Sequence, residues 1–499
     1  MDHTPANQPG NATESYGAWS EHAQQLATAG FVLYAAFAPH SIAAAEISLA
    51  IVGAGWLLRT LITRKTGFRH TSFDLAIWLF FLWTVASSLL STEPRISIAK
   101  IQSTCVVFLF YLTQAVVTRK TAIILVTVMI LSGVAGTVYS VYDLARGRGV
   151  LLESLAPDSP FQKLNLQPGD AIWRIDGHHV YSVADIDDAI RNASSAAELS
   201  ASVISQGEHI ERRGLVVTEA LKQRPSPSGL VGTQATHRFR ASGWTRHYET
   251  YAEIIQIIAQ LALGLALANY KNHRLNLRFK LAAIAFVFLS LGVALTAMRT
   301  SLIALVIGVF VIVLRAFGAR ARALTLIGVC LLLALGAFIV SQTRAEHSLS
   351  LQDPSSQLRV QVARVGVSRI MLHPLFGHGM DSMHVHWREW GFPGSDMLHL
   401  HSTPLQLAFD RGLPALAFWL WIMWIFWRTT SRGERALRDS SDTHRYGVLL
   451  GATGAVAGFF ASSLVNYNFG DGEVALVFWW LMGIVVVLTF TQRDGTVND

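Results

Sequence analysis

Apolar runs of about 20 residues recur along nearly the whole of this 499-residue chain, and a run of that length is what a helix needs to cross bilayer hydrocarbon. Only 15% of the residues are charged and 52% are hydrophobic, against about 25% charged in an ordinary soluble domain. With no water in the hydrocarbon to satisfy backbone groups, such runs must be helices. Spans are predicted at 24–40, 41–58, 73–91, 98–117, 121–143, 251–270, 280–298, 301–317, 323–341, 407–427, 446–466 and 474–491, about twelve in all. Only Ala38-Pro39-His40 separates the first two. The predicted fold class is an α-helical polytopic membrane protein with a small α+β domain inserted in one outward loop and a large helical outward loop near the C-terminal end.

Orientation follows from the basic residues of the short loops. Arg59, Arg64, Lys65 and Arg69 follow the second span, Arg119 and Lys120 the fourth, Lys271, Arg274 and Arg278 the sixth, and Arg428, Arg432 and Arg435 the tenth. These loops are expected in the cytoplasm, with 145–250 and 342–406 outside. The divisions are a tail at 1–23, spans one to five in 24–144, the inserted domain at 145–222 and a linker at 223–250. Spans six to nine follow in 251–341, then the outward loop 342–406, spans ten to twelve in 407–491 and a tail at 492–499. The net charge of +7 is thereby an orientation signal, and no nucleic-acid partner is expected. Cys105 and Cys330 both lie inside apolar runs, so they offer neither a disulfide nor a metal site.

In the insert, Gly149 to Leu155 and Ala171-Ile-Trp-Arg-Ile175 read as strands, Asp176-Gly177 as a hairpin turn, and Ser182-Val-Ala-Asp185 as a capping box opening a helix. Leu199–Ile204 and His209–Val217 read as two further strands. The run Ser159-Pro-Phe, Leu166-Gln-Pro-Gly-Asp-Ala-Ile, Ile175-Asp-Gly177 and Val180 resembles a PDZ domain in permuted order. That resemblance implies a peptide groove between the strand at 149–154 and the helix at 183–192, lined by Gly149, Val150, Leu151, Ile186 and Ile190, and thus a protein partner added as a strand. A ligand-free structural cap is the other reading. The stretch His237-Arg-Phe-Arg240-Ala-Ser-Gly243-Trp-Thr-Arg246-His247 is either an interfacial anchor or a surface for an anionic head group.

Arg299 ends the seventh span, where a charge near hydrocarbon is costly and points to function, unless it snorkels to the interface. Arg359, Arg364 and Arg369 recur at five-residue steps on a predicted helix, so they cannot all share one face. Six histidines, at 373, 378, 384, 386, 399 and 401, fall in one loop. Without a carboxylate or thiol at familiar spacing, or any His-Glu-x-x-His, they point away from a metal and from a membrane metalloprotease.

Together, Arg299-Thr-Ser-Leu, Arg359 ahead of Pro374-Leu-Phe-Gly377-His-Gly379, and His401-Ser-Thr-Pro-Leu405-Gln406 ahead of Arg411-Gly412 resemble the O-antigen ligase and polymerase family. Ser402 stands where that family usually has asparagine. The resemblance implies metal-independent, cofactor-free glycosyl transfer from an undecaprenyl-diphosphate-linked glycan to an acceptor hydroxyl, on lipid A–core or another glycan, at the periplasmic face of the inner membrane. It implies His401 as base and Arg299, Arg359, Arg240, Arg364 and Gln406 as diphosphate or substrate contacts, with membrane lipid around the spans. Polymerase activity is the alternative, ahead of protein O-glycosylation; a PDZ-bearing scaffold or transporter is the alternative of a different class.

Overall fold

The structure, a computed structural model, describes residues 10–205, 208–231, 234–245, 247–273, 275–318, a few positions between 323 and 331, 354–394 and 399–490. The first helices are α1 (Gly10–Phe37), α2 (Ile42–Thr63), α3 (Asp74–Leu90), α4 (Pro94–Ala99), α5 (Leu109–Val116) and α6 (Arg119–Arg146). After the insert come α9 (Tyr248–His273), α10 (Leu277–Leu295), α11 (Arg299–Ala316), α12 (Pro354–Leu372), α13 (Ser382–His386), α14 (Thr403–Leu437), α15 (Thr443–Ser463) and α16 (Gly472–Thr489). Among the described residues, eight helices are long and apolar enough to cross a membrane: α2, α6, α9, α10, α11, α14, α15 and α16. The expected span at 323–341 lies largely outside the described residues. α1 begins well ahead of residue 24, inside the expected tail. The expected span at 98–117 is broken: a 3-10 helix over Ile101–Phe108 precedes α5. Apolar composition marks a segment for burial without choosing between the two helix types.

α9 is the axis of the bundle, with 94% of its apolar window buried inside the protein. It packs against α10, α11 and α15. Its approach to α15 is backbone on backbone, since a side chain at Gly264 would strike Gly447 and Gly451. Small residues at the crossing supply the dispersion contact that drives association where lipid is as apolar as the helices.

The insert has its own core, distinct from that of the bundle. Its strands are β1 (Val150–Leu151), β2 (Ser154–Leu155), β3 (Ala171–Ile175), β4 (His178–His179), β5 (Glu198–Ser205), β6 (Glu208–Val216) and β7 (Leu230–Val231). An antiparallel sheet runs in the order β1-β3-β5-β6 with β4 on β3, and β2 pairs with β7. Asp176 and Gly177 both take positive φ, as the tight turn between β3 and β4 requires. The Ser182–Asp185 capping box starts helix α7 (Val183–Asn192), which buries Ile186 and Ile190. A short helix α8 (Glu219–Lys222) leads into the linker.

Candidate functional site

The site is built on a kink. Gly412 in α14 has φ 81° and ψ 170°, which interrupts the helix, and Pro414 has no N–H to offer Asp410. The Leu413 N–H, which would otherwise bond Phe409, instead reaches the Pro374 carbonyl at 2.7 Å. The carbonyls of Phe409 and Asp410 are left without helical partners and must find others. They accept from His378 N–H (2.8 Å) and Gly379 N–H (2.9 Å). Gly377 makes the seam possible: at φ +67°, a Cβ there would stand 2.5 Å from the Phe409 oxygen. Phe376 stacks on Trp83 of α3, whose indole N–H donates to the Arg411 carbonyl at 2.9 Å. The Pro374–Gly379 segment and the Asp410–Gly412 kink are therefore two halves of one backbone joint.

Above the joint, His399–His401 form a tight turn. His401 is in the left-handed region at φ 51°, an uncommon conformation for a residue with a side chain and one that clusters at functional sites. Ser402 caps α14 by accepting from Leu405 N–H, a position that takes serine or asparagine alike. Gln406, 2% exposed, accepts the Leu400 N–H at 2.7 Å and donates to Asp410 Oδ1 at 2.8 Å. Both ends of its amide thus serve the turn. Thr403 is held from the other side by the Asn466 carbonyl and Asn468 Oδ1. Asn466 in turn donates to Glu253 of α9, which also accepts from Ser462 Oγ at 3.3 Å.

The rings of His399 and His401 lie 4.4 Å apart, and His399 is 5.7 Å from Tyr467. Burial first, then the charges of His399 and Arg359, lowers His401 to about 3. Burial and Arg359 lower His399 to about 4, against an opposing pull from Asp471. Both imidazoles are free bases at neutral pH, and the buried Nδ1 of His401 has no hydrogen-bond partner. The Arg359 charge acts on both rings. On α12 Arg359 shares a helical face with Val362, Gly366 and Ile370. Val362 and Ile370 are buried, and Leu400 lies against Gly366. Arg364 is exposed. Arg369 donates to the Trp390 carbonyl at 3.0 Å and so fastens the loop.

Arg299 is the first residue of α11 and half-buried. A cation at a helix N-terminus opposes the macrodipole, so helix stability does not account for it, whereas an anion would gain from both. Arg240 is 8% exposed, with its guanidinium 4.3 Å from the Tyr248 ring centroid. Its neighbour Ala241 donates to the Leu295 carbonyl at 3.0 Å, which brings the Arg240 segment to the turn that ends at Arg299. Thr250 of α9 donates to Asp471, the residue that faces His399 electrostatically. Arg240, Arg299, Arg359 and His401 thus gather at one end of the bundle, the end that carries the insert.

The remaining histidines divide. His378 is buried, stacked on Phe409 and bonded to the Arg369 carbonyl. His386 bridges Glu93 and Glu389 at 2.9 and 2.8 Å. His373 and His384 are exposed. His399 is one of the six loop histidines but carries no role of its own in the sequence reading, and Tyr467, Asn466 and Glu253 are not singled out there. Glu253 carried a signal, a lone acid inside an apolar run; Tyr467 and Asn466 carried none. Arg411 is 6% exposed, its Nε lacks a partner, and it lines a cavity of about 620 Å³ with Tyr467 and Trp479.

Fold and site together describe a multi-pass membrane protein with a cationic, imidazole-bearing site at one end of its helical bundle. Residues 284–420, which contain Arg299, Arg359, His401 and the kink, match the family described as O-Antigen ligase. No curated protein matches the chain.

Proposed function

We propose that the protein is a glycosyltransferase of ligase type, moving a glycan from undecaprenyl diphosphate to a lipid A–core hydroxyl on the periplasmic side of the inner membrane. The observation that carries this reading is the left-handed His401 turn, braced by Gln406 below and by Thr403 on Asn466 and Asn468, inside the region that matches the O-Antigen ligase family. His401 takes the proton of the acceptor hydroxyl as that oxygen attacks the anomeric carbon. The bond from that carbon to the diphosphate breaks, the electron pair leaves with the diphosphate, and attack from the opposite face inverts the configuration. Arg299 and Arg359, with Arg240 beside them, meet the leaving charge; guanidinium forks match phosphate oxygens. General-base assistance of this kind contributes roughly 10²–10⁴ in rate.

A base near 3 is weak, but Arg359 helps hold it there. A bound diphosphate offsets that charge and raises the proton affinity of His401 when the donor is in place. His401→Ala and Arg299→Ala are each expected to abolish transfer at unchanged protein level. Normal surface glycan in either variant overturns the mechanism. In a deletion strain, loss of all capped lipopolysaccharide supports a ligase, and survival of single-unit caps assigns a polymerase instead.

A further inference from the structure

The groove expected between β1 and α7 is filled by the chain itself. Residues 225–231 and 234–236 run antiparallel along the free edge of the 148–156 strand. Arg148 and Thr236 exchange backbone bonds at 2.8 and 3.0 Å. Leu151 N–H reaches Gln234 at 2.7 Å, Glu153 N–H reaches Val231 at 3.2 Å, and Ala156 N–H reaches Gly229 at 2.9 Å. On the other flank Asp187 of α7 accepts from Ser228 N–H (2.8 Å) and Ser226 Oγ (3.2 Å), and Arg191 donates to the Pro225 carbonyl (2.9 Å). Leu230 is 7% exposed and belongs to the same apolar core as Ile186 and Ile190. Every feature of strand addition is present, with an internal segment as the ligand.

The filled domain is also pinned to the bundle. Arg148, 7% exposed, pairs with Asp143 at the end of α6. Its guanidinium lies 4.9 Å from the Trp173 ring in β3 and 4.4 Å from the Phe239 ring, and reaches Ser242 Oγ at 3.4 Å. One side chain therefore joins a membrane helix, the sheet and the segment that leads to Arg240. That segment is fixed further by Gly243 N–H on Ser140 Oγ (3.2 Å) and by Trp244 stacked on Tyr139 (4.6 Å).

We propose that the inserted domain is a self-liganded brace: residues 225–231 and 234–236 close its strand-addition groove, and Arg148 locks the closed domain to α6 so that Arg240 is held at the donor site. The proposal rests on the transferase reading. Arg148 is a positioning residue, and the groove works closed, with no partner peptide entering.

The test uses full-length protein in membranes. A Leu155→Cys/Leu230→Cys pair, placed at facing positions of β2 and β7, is expected to cross-link on oxidation and to keep transfer within about twofold of its reduced form. Failure to cross-link overturns the brace whatever the activity. Cross-linking with loss of transfer, restored on reduction, overturns it in favour of a groove that must open. Arg148→Ala and Arg240→Ala are each expected to lower kcat/KM for the donor about tenfold, and the double variant no further, because coupled residues are not additive. Multiplying effects overturn the positioning role. Arg148→Lys is expected to fail as a rescue, since an ammonium cannot reproduce the fork and the stacked faces. Absence of transfer in the unaltered protein, with the cross-link formed, would refute the transferase reading and leave the brace standing.

Discussion

Gln406 separates a residue that touches substrate from one that shapes the site. In Gln406→Leu the Leu400 N–H, on a residue only 1% exposed, loses its 2.7 Å acceptor, and Asp410 Oδ1 loses its 2.8 Å donor. A buried group left without its partner costs about 1–3 kcal/mol. The turn can recover part of that only by unwinding toward solvent, which carries His401 out of its left-handed conformation at φ 51°. If about 2 kcal/mol falls on the turn, the population of productive His401 drops about 30-fold. The expected result is a kcat lowered about 30-fold with donor KM within about twofold, measured as initial rates against lipid-linked glycan in reconstituted membranes. Gln406→Glu keeps an acceptor for Leu400 but sets a carboxylate against Asp410, so recovery should be partial. A raised KM at unchanged kcat in Gln406→Leu would show the amide contacting substrate and would refute the bracing argument.

Two of the three arginines of α12, Arg359 and Arg364, should part company. Arg359→Ala is expected to reduce kcat/KM about 10- to 100-fold, the worth of a charge-assisted hydrogen bond of about 1.5–3 kcal/mol, while the exposed Arg364→Ala stays near the parent rate; equal effects would contradict the face assignment. The pH dependence has a definite sign. His399 and His401 are lowered to about 4 and 3, so the acid limb of kcat/KM, which reports the free enzyme, should lie below about pH 5, and a limb centred near 6.5 would refute it. Because the unfolded histidines take up protons near pH 6.5 and the folded ones do not, the stability they confer is present above that pH. It is lost as pH falls toward 4, seen as a lower Tm on acidification, and less so in a His399→Gln/His401→Gln variant.

Much of this was legible locally. The long apolar runs gave helices, because a span is set by its own composition. The capping box at Ser182–Asp185 and the Asp176-Gly177 turn formed as read, because caps and tight turns are decided within four residues. His401 was picked from its place in an ordered pattern, yet nothing in that pattern showed Tyr467 beside His399 or Glu253 and Asn466 behind the turn; Glu253 and Asn466 themselves lie 213 residues apart. A peptide groove and a ligand-free cap stand as alternatives in the sequence because the strand and the helix that frame the groove are recognisable one by one, whereas the segment lying along them is a Pro-Ser-Gly linker with no strand signature.

The sequence by itself determined a multi-span helical membrane protein, a separate inserted domain, and a short set of arginines and one histidine as candidates for the proposed chemistry. These follow from hydropathy, from local backbone preference and from the side-chain types that diphosphate and hydroxyl chemistry would require. The tertiary structure alone decided which of them lie near one another. The kink at Gly412 strands two carbonyls, and the segment that satisfies them sets the floor beneath His401. The edge strand of the insert must be paired, and the segment that pairs it lies beside Arg240. Unsatisfied backbone groups must find partners across the fold, and that requirement, which no local pattern records, fixes the geometry of the site.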